Sequence, residues 1–364
     1  MSEKKIWKVA VVGCGAFANG QYLPNIKGEG CECVAAVDIV PERAQAACEK
    51  YGIPNWYSSV YELIEKCDFD IAIDAASIQA HHEINMAVLG AGKHLVTQKP
   101  AAPTVEMFTE QIELAKKMGV QITCAPIHPM RYDLNMGKMM IESGVIGNPT
   151  YLKCNYCHGG PEYFQGRDSS PAWFFEEGAG ALVDMGVHGL QVVTYMFGPI
   201  KAISCMAAIT TPVRRARSGA CNGEIIKADK IPDEYLISIE FANGKLGFID
   251  TGFSQKATKT PTLEIYGDEG TMTFDKPYLS CPMPDVYMDC PERGIRGWIN
   301  PQGWEKDAER ITNQCCPVRD LIRSVENGTE PALSAMHARH ILEVMCKIPE
   351  AIKSGNRVYM ETTF

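Results

Sequence analysis

The chain has 364 residues, enough for two ordinary domains, and is 46% hydrophobic and 22% charged, a globular rather than fibrous or disordered composition. Its formal net charge of −9 gives no electrostatic support for a nucleic-acid or anionic-membrane partner. No apolar run approaches bilayer length, and the opening MSEKKIWKVAVVG has no apolar stretch before a small-residue cleavage site, so a cytoplasmic protein is expected.

Taken in chain order, WKVAVV reads as a strand, followed by a glycine turn and a helix reaching Ile26. CVAAV is a second strand. Pro41 suits the first turn of a helix running to about Tyr51, and Ser58 or Ser59 caps the helix VYELIEK. DIAIDAAS and KHLVT are buried strands on either side of a helix from Gln79 to Gly90. Thr104 to Met118 is the next helix, and VQITCA closes the series. Strands alternating with helices predict a doubly wound parallel sheet over residues 1–126.

Beyond this point the pattern changes. A helix from Pro129 to Glu142 stops at SGVIGNP, and strands then dominate: TYLKCNYCH, KAISCMAAI, EYLISIEF, KLGFIDTGF, TLEIYG and TMTF. Asn243-Gly244 and GDEG provide hairpin turns. Residues 276–314 read as a long loop able to cover a site, and a last helix runs from Met336 to Ser354. Residues 127–364 are thus expected to form a second α/β domain with an open, largely antiparallel sheet.

The chain has 15 cysteines, an odd and scattered set that reads as free thiols. One C-x-x-C occurs, in KCNYCHGG, where Cys154, Cys157 and His158 spell a haem-attachment pattern. On a strand, Cys154 and Cys157 point to opposite faces and cannot share a haem edge or a metal ion. Neither haem nor metal is therefore expected. Cys154, Tyr156 and His158 share a face, and Cys157 is left a packing role.

VAVVGCGAFA places Gly13-x-Gly15-x-x-Ala18 between a strand and a helix, the setting in which this pattern marks a dinucleotide site. Gly13 permits the tight turn, Gly15 a close backbone approach to pyrophosphate, and Ala18 close helix packing. Asp38 ends the second strand, where its carboxylate can accept hydrogen bonds from the adenosine ribose. An anion there, followed by Ile39 rather than Arg, favours NAD over NADP.

Gln98-Lys99-Pro100 follows KHLVT at the ligand-facing end of the sheet, where Pro100 is a candidate for a cis bond. Lys99 is either aimed at the nicotinamide or a solvated residue before a loop. In GAGALVDMGVH, Asp184 and His188 are four apart in a helical pattern and share one face, as a catalytic or a surface pair.

With GCGAFA, AGKHLVTQKP, SGVIGNP and GALVDMGVHG, the chain resembles the Gfo/Idh/MocA sugar and inositol dehydrogenases over nearly its whole length. That resemblance implies a Rossmann domain, an α/β domain whose open sheet often serves oligomerisation, and catalytic roles for Lys99, Asp184 and His188. It implies a cofactor set of Gly13, Gly15, Ala16, Phe17 and Asp38, with Ser77, Gln98 and Lys99, and a substrate set of His128, Arg131, His158, Tyr163, Asp184 and His188. Two positions depart from the family: Gln98 replaces the usual Glu, and His128 stands where Asn is frequent.

The expected reaction is NAD-linked oxidation of a secondary ring hydroxyl on a sugar, glycoside (C3 among the positions) or cyclitol. His188 is the base, Lys99 stabilises the alkoxide, and Asp184 fixes the histidine or binds a neighbouring hydroxyl. Alternatives are a redox-neutral glycoside-cleaving or lyase enzyme that retains NAD, and a non-catalytic NAD-binding regulator. The loop PEYFQGRDSSPAWFF offers Tyr163, Arg167 and Trp173 as sugar contacts.

Overall fold

The computed structural model describes residues 5–164, 169–275, 283–299, 301 and 313–364. The chain divides into two compact units, Met1–Met130 with Ile311–Leu342, and Arg131–Arg310 with Glu343–Phe364. The sequence predicts a single boundary at 126 with 127–364 as the second domain; in the structure Ile311–Leu342 groups with the first unit, and Glu343–Phe364 with the second. No described helix is long and apolar enough to cross a membrane, and every described cysteine is a free thiol.

In the first unit, the described residues form a six-stranded parallel sheet of β1 (Trp7–Val12), β2 (Cys31–Val37), β3 (Asn55–Tyr57), β4 (Ile71–Asp74), β5 (His94–Thr97) and β6 (Ile122–Cys124). Their order, β3-β2-β1-β4-β5-β6, is that of a doubly wound dinucleotide-binding sheet. The helices α1 (Pro41–Tyr51), α2 (Val60–Lys66), α3 (Ile78–Gly90) and α4 (Val105–Met118) start where the sequence places them. Pro41 opens α1, and Ser59 and Thr104 accept hydrogen bonds from Glu62 N and Met107 N to cap α2 and α4.

A parallel sheet is stable only with both faces buried. One face, with Val12, Ala35, Ala72 and Leu95, is covered by α2, α3 and α4 through Leu63, Val88, Leu89 and Phe108. The other, with Val9, Val11, Ile71, Ile73 and Val96, is covered by Ala44 and Ala47 of α1 and by a returning helix, Cys316–Asn327. That helix contributes Cys315, Val318, Leu321 and Ile322. The segment after it is tied to the sheet edge, because Asp320 accepts from Ala332 N and Leu333 N while Leu333 O accepts from Cys124 N. The sequence reading did not anticipate this helix.

The expected helix from the glycine turn to Ile26 is also interrupted. It becomes a wide π-type turn at Ala18–Tyr22 and a 3-10 turn at Ile26–Glu29, because Pro24 has no N–H to continue the ladder.

In the second unit, nine described strands form a sheet of mostly antiparallel pairs with one parallel pair. They are β7 (Pro149–Asn155), β8 (Ile200–Ala208), β11 (Glu234–Phe241), β12 (Leu246–Gly252), β13 (Leu263–Gly267), β14 (Gly270–Phe274), β15 (Asp285–Cys290), β16 (Ile295–Ile299) and β17 (Val358–Tyr359). The pair β9 (Val213–Arg215) and β10 (Ile225–Lys227) stands apart as a small two-stranded sheet. The hairpin β15–β16 occupies part of the stretch read as a loop, with Val286, Met288 and Cys290 alternating into the core; residues 276–282, 300 and 302–312 of that stretch lie outside the described residues. Two helices, α5 (Tyr132–Glu142) and α6 (Val187–Phe197), bear on this unit. Pro129 and extended Arg131 shorten α5 relative to the expected start, leaving a 3-10 turn at His128–Met130.

The small sheet is anchored by Arg214, which is 5% exposed. Its guanidinium donates to Glu162 Oε1 at 2.7 Å, Phe253 O at 3.1 Å and Asp233 Oδ2 at 2.6 Å. Asp233 also accepts from Thr210 N, Thr210 Oγ1 and Thr211 N. Burial works against its charge, but the Thr210 and Arg214 donors prevail and hold its carboxyl below the usual range.

Leu321→Ala is expected to lower the stability of the first unit by about 2–5 kcal/mol, read from the urea midpoint, since Leu321 is fully buried. Asp233→Asn tests the second unit. Because the folded pKa is depressed, the stabilisation is complete above the unfolded value near ~4 and is lost as pH falls through the folded one. The stability gap to wild type is therefore widest near neutrality and closes under acid; a gap independent of pH would refute the assignment.

Candidate functional site

In the first unit, parallel register sets Val12, Asp74 and Thr97 side by side. The segments that follow β1, β4 and β5 therefore emerge together at one edge, carrying Gly13–Phe17, Ser77 and Gln98-Lys99. Gly13 has φ +93°, and a Cβ there would sit 2.7 Å from the Ala75 backbone, so this residue must be glycine for two independent reasons. A Cβ at Gly15 would meet nothing within 4 Å, which leaves its backbone open to a ligand. Ala16 and Phe17 open the following turn; Phe17 is 45% exposed and lies edge-on to the buried Tyr22. Asn19, which the pattern reading passed over, donates through Nδ2 to Cys14 O at 2.7 Å and Gly15 O at 3.2 Å and fixes the loop from within.

Asp38 is buried and ties this edge together. Its Oδ2 accepts from Cys14 N at 2.8 Å and its Oδ1 from Val40 N at 2.9 Å, so the carboxylate clamps the glycine loop to the end of β2. Each oxygen keeps a lone pair for a ribose hydroxyl. The open backbone at Gly15, the oriented carboxylate and the shared strand edge fit a dinucleotide.

Lys99-Pro100 is a cis peptide. Gln98 donates its amide to the Tyr22 hydroxyl. Burial raises the pKa of this phenol, which keeps it neutral beside the amide. Pro100 O is 2.9 Å from Nδ1 of the buried His81, whose Nε2 is 3.3 Å from Ala76 O and 3.9 Å from the fully buried Asp74. Burial raises the Asp74 carboxyl, with His81 opposing. The link from His81 to Pro100 spans 19 positions, so no local pattern announces it. Ser77 is exposed at the start of α3 and makes no side-chain cap. His128, assigned to this unit, is 4% exposed on its 3-10 turn.

In the second unit, Asp184 lies in a π-type turn, Leu182–Gly186, that runs straight into α6 at Val187. His188 stacks on Tyr156, with ring centroids 5.6 Å apart and planes 7° from parallel. Asp184 Oδ2 is 3.4 Å from His158 Nε2, while His158 Nδ1 accepts from Gly160 N at 2.9 Å. The second bond leaves the proton on Nε2, directed at Asp184. Rings of Phe164 and Phe253, each 4.9 Å away, hold His158 in place. Arg131 is buried and bidentate on Asp133 two residues on, which commits its guanidinium to the protein. Tyr163 is half-buried beside the Arg214 cluster. Phe174 and Phe175 are buried, Trp173 is 51% exposed, and Arg167 lies outside the described residues.

The C-x-x-C reading is corrected in its extent. Strand β7 ends at Asn155, short of the expected His158, but Tyr156 N and His158 N still donate to Asp250 O and Gly252 O of β12. Cys154 packs beneath Gly189 of α6, whereas Cys157 reaches Asp250 O at 3.3 Å and Oδ1 at 3.5 Å. Cys157 is therefore a donor rather than a packing residue, and burial raises its thiol pKa.

A family model described as the NAD-binding Rossmann fold of an oxidoreductase family matches residues 7–125, and one for the GFO/IDH/MocA C-terminal domain matches residues 136–273. The first unit is thus an NAD-binding fold. The chain is 27% identical over 247 residues to the levoglucosan dehydrogenase of Pseudarthrobacter phenanthrenivorans, spanning 65% of this chain and 63% of that protein. It is 24% identical to the myo-inositol 2-dehydrogenase of Thermotoga maritima over 97% of this chain and 98% of the relative. An NAD-binding oxidoreductase from Klebsiella pneumoniae shares the fold with a TM-score of 0.83 at 19% identity, covering 98% of this chain and 99% of that one.

Gly13→Ala is expected to weaken NADH binding at least ~10-fold in a fluorescence titration, because its Cβ meets backbone rather than a side chain that can turn aside. Undiminished binding would mean that the loop does not hold the cofactor.

Proposed function

The chain belongs to the Gfo/Idh/MocA oxidoreductase family, and from that premise we propose that it is an NAD-dependent dehydrogenase oxidising a secondary ring hydroxyl of a sugar, a glycoside (C3 included) or a cyclitol. The observation that carries this reading is the single strand edge on which the glycine loop, Asp38 and the Gln98-Lys99-Pro100 turn come out together. The named activities of the two curated relatives, on an anhydrosugar and a cyclitol, support the substrate class.

Bound NAD supplies the hydride acceptor. Gly13, Gly15, Ala16 and Phe17 hold its pyrophosphate, Asp38 its adenosine ribose, and Ser77 and Gln98 flank the same edge. His188, held flat against Tyr156, takes the hydroxyl proton. Lys99 stabilises the developing alkoxide with its ammonium. Asp184 accepts from His158 and from a hydroxyl next to the one oxidised, so that the pair sets the orientation of the ring. Tyr163 and His128 complete the substrate set, and Arg131, bound to Asp133, supports it from within the protein.

The protein also assembles as a homo-oligomer through the open sheet face. Met206 (75% exposed) and Leu236 (43%) are cross-strand neighbours, and Leu246 (55%) shares their face. Apolar side chains gathered on one face in this way suit a partner surface.

His188→Ala and Lys99→Met are each expected to lower kcat by about 10²–10⁴-fold while NADH still binds, followed by nicotinamide reduction over a panel of sugars, glycosides and cyclitols. Unchanged turnover in either variant would remove that residue's role. Product analysis with and without added NAD separates the redox-neutral route: one reduced nicotinamide per oxidised product when NAD is added supports the dehydrogenase, and repeated glycoside cleavage without added NAD and without net reduced nicotinamide rejects it.

A further inference from the structure

The second unit contains a cavity of about 410 Å³, within the size range of a sugar-binding pocket. Tyr163, Phe253, Arg214, Arg215, Arg217 and Lys256 line it. Its four cations fall into two groups. Arg214 is buried and more than offset by two carboxylates, Glu162, which is also part of the wall, and Asp233. Arg215, Arg217 and Lys256 are exposed, and among the described residues no carboxylate forms an ion pair with any of them. Arg217 and Lys256 each stand 5.4 Å from the centroid of the Tyr163 ring, which draws two like charges toward one aromatic. Repulsion between them is relieved by an anion.

The cavity also adjoins the residues assigned to substrate. Phe253 lines it and stacks on His158, whose Nε2 faces Asp184, and Gly159, the residue after His158, is part of its wall. We propose that this cavity is a subsite for an anionic substituent, a carboxylate or a phosphate, on the carbohydrate, and that an anionic sugar is the preferred substrate over a neutral polyol. The word substrate here rests on the dehydrogenase reading, whereas the anion preference is a property of the cavity alone.

Calorimetric titration of the NADH-loaded full chain with glucuronate, glucose 6-phosphate and glucose at about 20 mM salt tests it. One or both anionic ligands are expected to bind at least ~10-fold more tightly than glucose. The preference should shrink toward one at ~0.5 M salt and in the Arg217→Ala/Lys256→Ala variant, and should persist in Arg217→Lys, which keeps the charge. Preference for the uronate alone or the phosphate ester alone assigns the substituent. Equal affinities, no binding of any of the three, or a preference that survives the double variant would overturn the subsite. Reduction of NAD with neutral polyols but no anion preference would remove this inference and leave the dehydrogenase standing; anion binding without NAD reduction on any sugar would do the reverse.

Discussion

A parallel sheet with β-branched residues on both faces has no solvent-tolerant side, and the first unit is organised around that constraint. Strands β1, β2 and β4 present Val9, Ala36 and Ile71 to one side and Ala10, Ala35 and Ala72 to the other, all fully buried. Local crossover helices cover one face. The other is completed only by a helix that returns after the stretch Arg131–Arg310 of a different unit. With both faces sealed, the carboxyl ends of the strands become the exposed rim, and the glycine loop, Asp38 and Lys99 are all found there.

At that rim, carboxylates are used for geometry as much as for charge. Asp38 spends hydrogen bonds on two backbone amides, which makes the glycine loop and the end of β2 one piece. Asp74 and His81, both buried, brace the turn that carries Lys99 through the Pro100 carbonyl. In the second unit, Asp184 receives His158, and Arg214 lies between Glu162 and Asp233. Arg215, Arg217 and Lys256, all exposed on one cavity, form no ion pair with a carboxylate among the described residues.

Much of this was legible in the residues, because period and punctuation are local signals. Pro41, Ser59 and Thr104 mark their helix starts, EYLISIEF alternates over its full length, and the glycine pattern sits between a strand and a turn. The departures come from contacts distant in sequence. The returning helix has a clear amphipathic pattern, but its pairing with β5 and β6 depends on tertiary closure. One partner of Asp184 is His158, 26 positions away, in a segment whose letters suggested haem. Asn19 carried a weaker local signal, since an amide just after the glycine pattern is well placed to bond the loop carbonyls. The hairpin β15–β16 was hidden by the prolines and glycines around it, which imitate a loop.

The discontinuity of the first unit has a consequence for synthesis. A ribosome completes β1 to β6 long before it makes the helix that seals their second face. Until Cys315 to Ile322 emerge, the apolar surface of Val9, Val11, Ile71, Ile73 and Val96 lacks this cover while Arg131–Arg310 of the second unit is translated. During that interval the nascent chain is a natural client for a chaperone, and the dinucleotide fold becomes fully closed only when its most distant segment arrives.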